Sequence, residues 1–421
     1  MFQFLSGAWA LLLGMLLLTL GNGVQSTLLG IRGEIEGFST FEMSLVMSGY
    51  FLGFLGGSRM APEMIRRVGH VRVFAALASF ISAVIIIYPT FANPTVWFIC
   101  RVLIGFCFSG VYVTAESWLN NAATNETRGQ ALSLYVIVQM IGVVTAQAIL
   151  VTADPSGFVL FVIPSVLVSI SFAPILLSIS PTPAFEATKP MSLRELVNIS
   201  PLGTVGMFLL GGVFAAQFGM AAVYAASIGL SVKDISLFVA SFYVGGMIVQ
   251  YPLGWMSDRM DRRVLILIAG LIGGIGAIVG MLLGTSYMML LVAAVLVGGF
   301  SNPLYSLLIA HLNDYLEHED MAAASGGMVF INGLGAIAGP VLTGWFMAVF
   351  GAPGYFLFLA ILMLAIAAYA AFRMTRRAGI AVEDTSTYAP ILPSSSPVAV
   401  EAAQEFAIET ALEEEDAENT Q

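Results

Sequence analysis

The sequence predicts an all-α membrane protein, with twelve transmembrane helices in two pseudo-symmetric six-helix bundles. Three observations carry that prediction. Of the 421 residues, 58% are hydrophobic and only 10% charged, with a mean hydropathy of +0.91. A soluble domain carries roughly 25% charged residues, so this chain cannot present an ordinary water-facing surface. Apolar runs of the ~20 residues needed to cross a bilayer recur twelve times, in two sets of six. The two sets also resemble one another at a common offset, as expected of a transporter-like pair of repeats.

The first run, near 8–29, is expected to be a retained helix and not a secretory signal, because Met1–Gly7 contains no Lys or Arg for a basic leader. The runs near 41–59, 72–91, 95–118, 130–152 and 157–180 complete the first set. The second set lies near 202–226, 235–256, 264–284, 286–310, 323–348 and 354–373. The second and eighth runs are the least clear, being rich in Gly and polar residues. The expected organisation is an N-terminal bundle at 1–180, a polar central loop at 181–200, a C-terminal bundle at 201–377 and a tail at 378–421.

Basic residues favour cytoplasmic loops. With the N-terminus inside, 13 Lys and Arg fall in inside loops, only Arg32 and Lys233 fall outside, and Arg101 lies within the fourth span. Both termini are therefore expected in the cytoplasm, around a plasma (bacterial inner) membrane. The net charge of −10 belongs to the tail: from Glu383 onward there are 10 acids and no base, leaving 16 acids against 16 bases before it. Low hydrophobicity with high net charge predicts a disordered acidic cytoplasmic tail, with a transient helix at Glu401–Glu418. A partner-binding tail is the alternative.

The internal offset is about 193 residues: Ala131-x-Ser133 and Ile141-Gly142 align with Ala324-x-Gly326 and Leu334-Gly335, and Tyr50-x-x-Gly53 aligns with Tyr243-x-x-Gly246. After the eighth run stands the most specific motif, Gly254-Trp255-Met256-Ser257-Asp258-Arg259-Met260-Asp261-Arg262-Arg263. It resembles the loop signature of the major facilitator superfamily, Gly-x-x-x-Asp-Arg-x-Gly-Arg-Lys/Arg, with Asp261 in place of the second glycine. The equivalent first-half loop, 62–70, keeps only Arg67 and Gly69, and Arg66 stands where the aspartate is expected. Arg101-x-x-x-Gly105, Arg128-Gly129 and Gly335-x-x-x-Gly339-Pro340 are similar to further motifs of that family. The run from Arg101 through Ala115-Glu116-Ser117 to Gly129 resembles its YcaD-like bacterial branch. The resemblance spans about residues 8–377 and implies the major facilitator fold.

It also implies that the first, fourth, seventh and tenth spans line a central cavity. Their polar residues, Asn22, Gln25, Arg101, Tyr112, Gln217, Tyr224, Asn302 and Tyr305, are the candidates for substrate contact. Interhelical hydrogen bonding is the alternative role for each. Arg101 stands apart, because a charge near the bilayer centre costs at least ~2.5–3.5 kcal/mol. It either offers a donor fork to a carboxylate or phosphate or binds neighbouring carbonyls or a glutamine. Glu116, about 22 Å further along the same helix by its rise, is a candidate proton acceptor; a carboxylate paired with Arg128 or capping the next helix is the alternative. Gly254, Asp258, Arg259, Arg262 and Arg263, with Arg67 and Gly69, form a candidate cytoplasmic gate whose charge-assisted bonds bias one conformation. Anchoring by positive charge alone is the alternative for its arginines.

Cys100 and Cys107 share one apolar run, and His70, His311 and His318 are scattered, so no metal site is expected. The cysteines read as apolar fillers and the histidines as loop residues. No phosphate-binding loop of Gly-x4-Gly-Lys-Ser/Thr type is present, so no nucleotide cofactor is expected. No acid/base pair lies at membrane depth, which disfavours an enzyme. The function expected is secondary transport of a small organic solute by alternating access, with proton-coupled export as the leading form. Uptake of an organic anion through Arg101 is one alternative, and a non-transporting receptor or assembly factor on the same fold is another. The partners expected are the solute, the lipid bilayer and a coupling proton, for a monomer that does not bind nucleic acid.

Overall fold

The structure, a computed structural model, describes residues 2–122, 125–177, 191–377, 379–380, 385, 388, 391, 395–396 and 398–400. Every regular element among them is helical. The first half comprises α1 (Phe2–Ile35), α2 (Thr40–Val68), α3 (His70–Thr90), α4 (Pro94–Ala122), α5 (Asn125–Ile149) and α6 (Val159–Leu177, interrupted at Phe172). A short connecting helix, α7 (Leu193–Ile199), precedes the second half. That half comprises α8 (Pro201–Ser227), α9 (Val232–Ser257), α10 (Arg262–Leu283), α11 (Tyr287–Asn313), α12 (His318–Phe350) and α13 (Gly354–Met374).

Local chemistry sets the helix starts. Ser39 and Glu42 form a capping box at α2, with Ser39 Oγ accepting from the Glu42 N–H at 3.2 Å and Glu42 Oε2 accepting from the Ser39 N–H at 2.8 Å. Ser231 caps α9 by accepting from the Asp234 N–H, and Asp261 caps α10 by accepting from the Arg263 N–H. Gly69, at φ +83°, turns the chain directly from α2 into α3, a conformation that only glycine adopts without strain.

Eleven of the twelve long helices are apolar and long enough to cross a bilayer. The exception is α2, which has the length but carries Glu42, Arg59, Glu63, Arg66 and Arg67. Its small and polar residues Ser44, Ser48, Gly49, Gly53 and Gly57 are buried, while Phe41, Leu45 and Leu52 are exposed. The low hydropathy of α2 thus reflects a face turned to protein.

The two bundles repeat the same packing. In the first, Gly105 of α4 lies against the Tyr50 carbonyl of α2, and in the second Gly298 of α11 lies against the Phe242 carbonyl of α9. Gly142 of α5 meets Leu16 and Thr19 of α1, while Gly335 of α12 meets Phe208 of α8. In all four places a Cβ would strike the facing helix, so small residues permit the close approach. The offset seen in the sequence is therefore an offset between equivalent helix crossings.

Helix α1 begins and α13 ends at one face of the molecule, the terminal face. Towards the opposite face the bundles meet where Gly30 of α1 touches Ala222 of α8 and Gly344 of α12 touches Ser44 of α2. Midway, Ser48 Oγ of α2 donates to the Ile337 carbonyl of α12 at 2.7 Å. Near the terminal face the Arg59 guanidinium lies 4.2 Å from the Phe330 ring centre.

Two expectations need revision. His70 and His311, read as loop residues, are buried within helices, and His70 Nε2 lies 3.0 Å from Ser117 Oγ. The tail is not wholly solvated: Ile391, Ser395, Ser396, Ala399 and Val400 are all buried, against the bundles' terminal-face ends. A composition average over 378–421 hides these few apolar and small residues. The first half of the central loop (181–190) and the Glu401–Glu418 stretch lie outside the described residues.

Candidate functional site

A cavity of about 1420 Å³, counted out to its open side, lies between the bundles. Helices α1, α2, α4 and α5 line it from one side and α8, α9, α11 and α12 from the other. The expected four spans contribute, but so do their neighbours. Spacings of four residues put Asn22 and Ser26 of α1, and Tyr50 and Phe54 of α2, on one helix face each. The second bundle presents Phe214 and Phe218 of α8, Tyr243 of α9, Asn302 of α11 and Asn332 of α12. Phe218 and Tyr243 stack at 5.1 Å between ring centres. Seven aromatic side chains and five amides thus stand in the lining.

Arg101 supplies the charge. It projects from α4 into the lining and is only 2% exposed. Nη1 donates to Gln25 Oε1 at 2.9 Å, Nη2 approaches Met47 Sδ at 3.6 Å, and the guanidinium lies 4.8 Å from the Tyr50 ring centre. Its Nε has no hydrogen-bond partner, and no carboxylate among the described residues pairs with Arg101. Asn22 donates to the Tyr50 hydroxyl at 3.4 Å, leaving its own Oδ1 unpartnered, as is Gln147 Oε1 of α5. Hydrogen-bonding capacity of both signs is therefore left over in the cavity lining.

Of the eight candidates for substrate contact, Asn22, Arg101, Tyr112 and Asn302 line the cavity. Gln25 stands behind Arg101 as its acceptor. Gln217 faces α11 instead, donating to Ser301 Oγ at 2.8 Å. One π-helical turn at Ala216–Met220 interrupts α8 there, a distortion that often accompanies functional sites. Tyr224 stacks on Tyr355 at 4.7 Å, and Tyr305 packs 6.0 Å from Phe214, 1% exposed. These three are interior packing and do not line the cavity. Tyr50, Phe54, Phe218, Tyr243 and Asn332 do, and all five lie on spans outside the expected four except Phe218, which carries no polar atom.

Glu116 lies one turn beyond Tyr112 on α4, 2% exposed. It accepts from the Tyr135 hydroxyl of α5 and from the backbone N–H of Ser396, both at 2.9 Å. The Arg128 side chain, its alternative partner, lies outside the described residues.

At the loop motif the arginines bond within their own half. Arg262 is buried, pairs with Asp314 at the end of α11, and donates to Ser257 Oγ at 3.1 Å and the Ala310 carbonyl at 3.0 Å. Arg263 pairs with Asp261 at 2.6 Å and donates to the Arg377 carbonyl at 2.6 Å. Burial works against the Asp261 carboxylate, but its bonds to the Arg263 side chain and N–H outweigh it and hold the group below the usual range. Arg259 lies over Trp255 at 4.4 Å. Asp258 accepts the Tyr388 N–H at 2.9 Å and stands 3.9 Å from Arg262, while Gly254 packs on the Tyr388 ring. In the first half, Arg66 and Arg67 pair with Glu63 beside the Gly69 turn. The bonds expected to cross the face therefore run from α10 to α11 and from the loop to the tail. Asp314 had no signal in the sequence beyond being an acid in a loop.

The sequence model of the Major Facilitator Superfamily matches residues 11–224 and 203–398. The uncharacterised MFS-type transporter YcaD of Escherichia coli O45:K1 is 26% identical over 358 residues, covering 83% of this chain and 91% of its own. YcaD of Salmonella arizonae is 24% identical over 341 residues, covering 80% and 88%. Among solved structures, a mutant of the nucleoside transporter NupG superposes with a TM-score of 0.73 at 13% identity, covering 86% of this chain and 98% of that one. A bacterial homologue of the human lysosomal transporter Spinster, in an inward-facing and unoccupied conformation, gives 0.69 at 15% identity, covering 96% and 97%.

Proposed function

Because the chain belongs to the major facilitator superfamily, we propose that it carries a small organic anion across a bacterial inner membrane by alternating access, the two bundles rocking about the cavity between them. The terminal face is the cytoplasmic one, since the loops on that side hold the basic residues.

One observation carries the anion: Arg101 is buried against the cavity with an unused Nε, and no carboxylate among the described residues pairs with it. An uncompensated buried charge costs several kcal/mol even after relaxation. Gln25 and Tyr50 offset part of that with a dipole and a ring face. A carboxylate or phosphate on the solute supplies the missing charge and occupies the guanidinium edge. The aromatic walls suit a flat or apolar body behind that anionic group, and the Asn22 and Gln147 oxygens suit its donors.

Glu116 is the coupling-proton candidate, a carboxyl inside the fourth span held by Tyr135. Proteoliposomes under imposed pH gradients test the whole proposal. Anion flux that accelerates with one gradient polarity supports it and fixes the direction. Flux of neutral nucleosides or cations with none of anions contradicts it.

A further inference from the structure

We infer that the terminal-face mouth between α4 and α11 is a peptide-binding groove, that its occupant is this chain's own C-terminal segment through Tyr388, Ile391, Ser396 and Val400, and that the bound segment holds the protein open on that face.

The segment is bonded to both bundles. On the second, Tyr388 lies on Gly254, its N–H donates to Asp258 at 2.9 Å, and its hydroxyl accepts from Gln250 Nε2 at 3.0 Å. Further along, Ile391 exchanges two bonds with one side chain of α11: its N–H donates to Ser306 Oγ at 2.9 Å, and its carbonyl accepts from the same hydroxyl at 3.2 Å. On the first bundle, the Ser396 N–H donates to Glu116 of α4 at 2.9 Å. Ser396 then starts a helical turn, its Oγ accepting from the Val398 N–H at 3.2 Å and its carbonyl from the Val400 N–H at 3.3 Å. Val400 is fully buried and Ser396 is 1% exposed.

A solvated tail satisfies its backbone with water. This one gives backbone groups of three residues to side chains of α4, α11 and the loop after α9, and buries apolar side chains beside them. Its bonds to Glu116 and Ser306 place chain between two helices that must approach one another if this face is to close. Such contacts exist only in the state open at the terminal face, so they shift the equilibrium towards it. Closing the face requires the segment to leave.

The groove is tested without any solute. Ser306→Cys is introduced into the full chain with Cys100→Ala and Cys107→Ala, and labelled in vesicles by a membrane-impermeant maleimide. The measurement is repeated with Tyr388→Ala and Ile391→Asp added, after melting curves show that both proteins are folded. At least fivefold faster labelling with the altered segment is expected, because the introduced thiol is then uncovered. Equal labelling rates overturn the groove. The hold-open role rests on the transport reading: solute exchange by the Tyr388→Ala/Ile391→Asp protein should exceed that of the native chain severalfold. Unchanged exchange alongside faster labelling overturns that role and leaves the groove.

Discussion

Arg101 and Gln25 share a hydrogen bond of 2.9 Å, from Nη1 to Oε1; the buried guanidinium also meets a thioether and the Tyr50 ring, and no carboxylate among the described residues pairs with it. Arg262 is equally buried but has Asp314. The two arginines differ in what is missing, and the difference is measurable.

Removing one partner of a buried ion pair costs ~3–5 kcal/mol, because the other charge stays behind. Arg262→Met should therefore lower the melting temperature sharply, and Arg262→Met/Asp314→Leu should restore most of the loss. Arg101→Met in the solute-free protein leaves no acid behind and should cost less than half as much. Thermal melting in detergent checks all three; equal losses for Arg101 and Arg262 would show that Arg101 has a partner after all.

The close crossings predict which glycines are fixed. A Cβ on Gly105 or Gly298 meets the backbone carbonyl of the facing helix, whereas one on Gly56 meets only a Phe106 ring carbon at 3.8 Å. Gly105→Ala and Gly298→Ala should each destabilise by ~1–3 kcal/mol, the usual range for overpacking. Gly56→Ala should be neutral or slightly stabilising. Melting curves of the three variants read this directly.

Glu116→Gln keeps an oxygen to accept the Ser396 N–H and offers an NH2 that can donate to the Tyr135 hydroxyl, while removing the titrating group. Exchange of labelled for unlabelled solute should persist within about a factor of three of the native rate, a small change next to the tenfold that 1.4 kcal/mol represents. Uphill transport driven by a pH gradient should vanish. Uphill transport by this variant would remove the proton role from Glu116.

Stacked rings contribute ~0.5–1.5 kcal/mol beyond their buried area. Tyr243→Ala removes the partner of Phe218 in the cavity wall and should weaken binding of a ring-bearing anion by ~2–12-fold. A small aliphatic anion should be affected less. Titration of both solutes against the native and variant proteins measures the ratio.

Much of this was legible in the sequence, for physical reasons that differ by residue. Apolar runs located the spans because lipid imposes a length, and the repeated Tyr-x-x-Gly and Ile/Leu-Gly steps located real helix crossings. Arg101 was legible because a charge inside an apolar run demands an explanation. Tyr50, Phe218 and Tyr243 were not, since an aromatic residue in an apolar helix looks the same whether it faces lipid, core or cavity. Gln217 and Tyr305 misled for the converse reason: a polar atom in a span marks a hydrogen bond, and theirs is not aimed at the cavity. Tyr388 and Ile391 escaped notice because burial of a few residues leaves no trace in the composition of a tail.

The anion at Arg101 is tested most directly by the thermal shift of the purified protein against a panel of carboxylates, organic phosphates, nucleosides, sugars and lipophilic cations. At a hundredfold excess over Kd, binding to the folded state adds ~2.7 kcal/mol. The expected result is a shift from anions that is absent in a folded Arg101→Gln variant. A shift from cations or nucleosides that survives Arg101→Gln would contradict it and make Arg101 a structural residue.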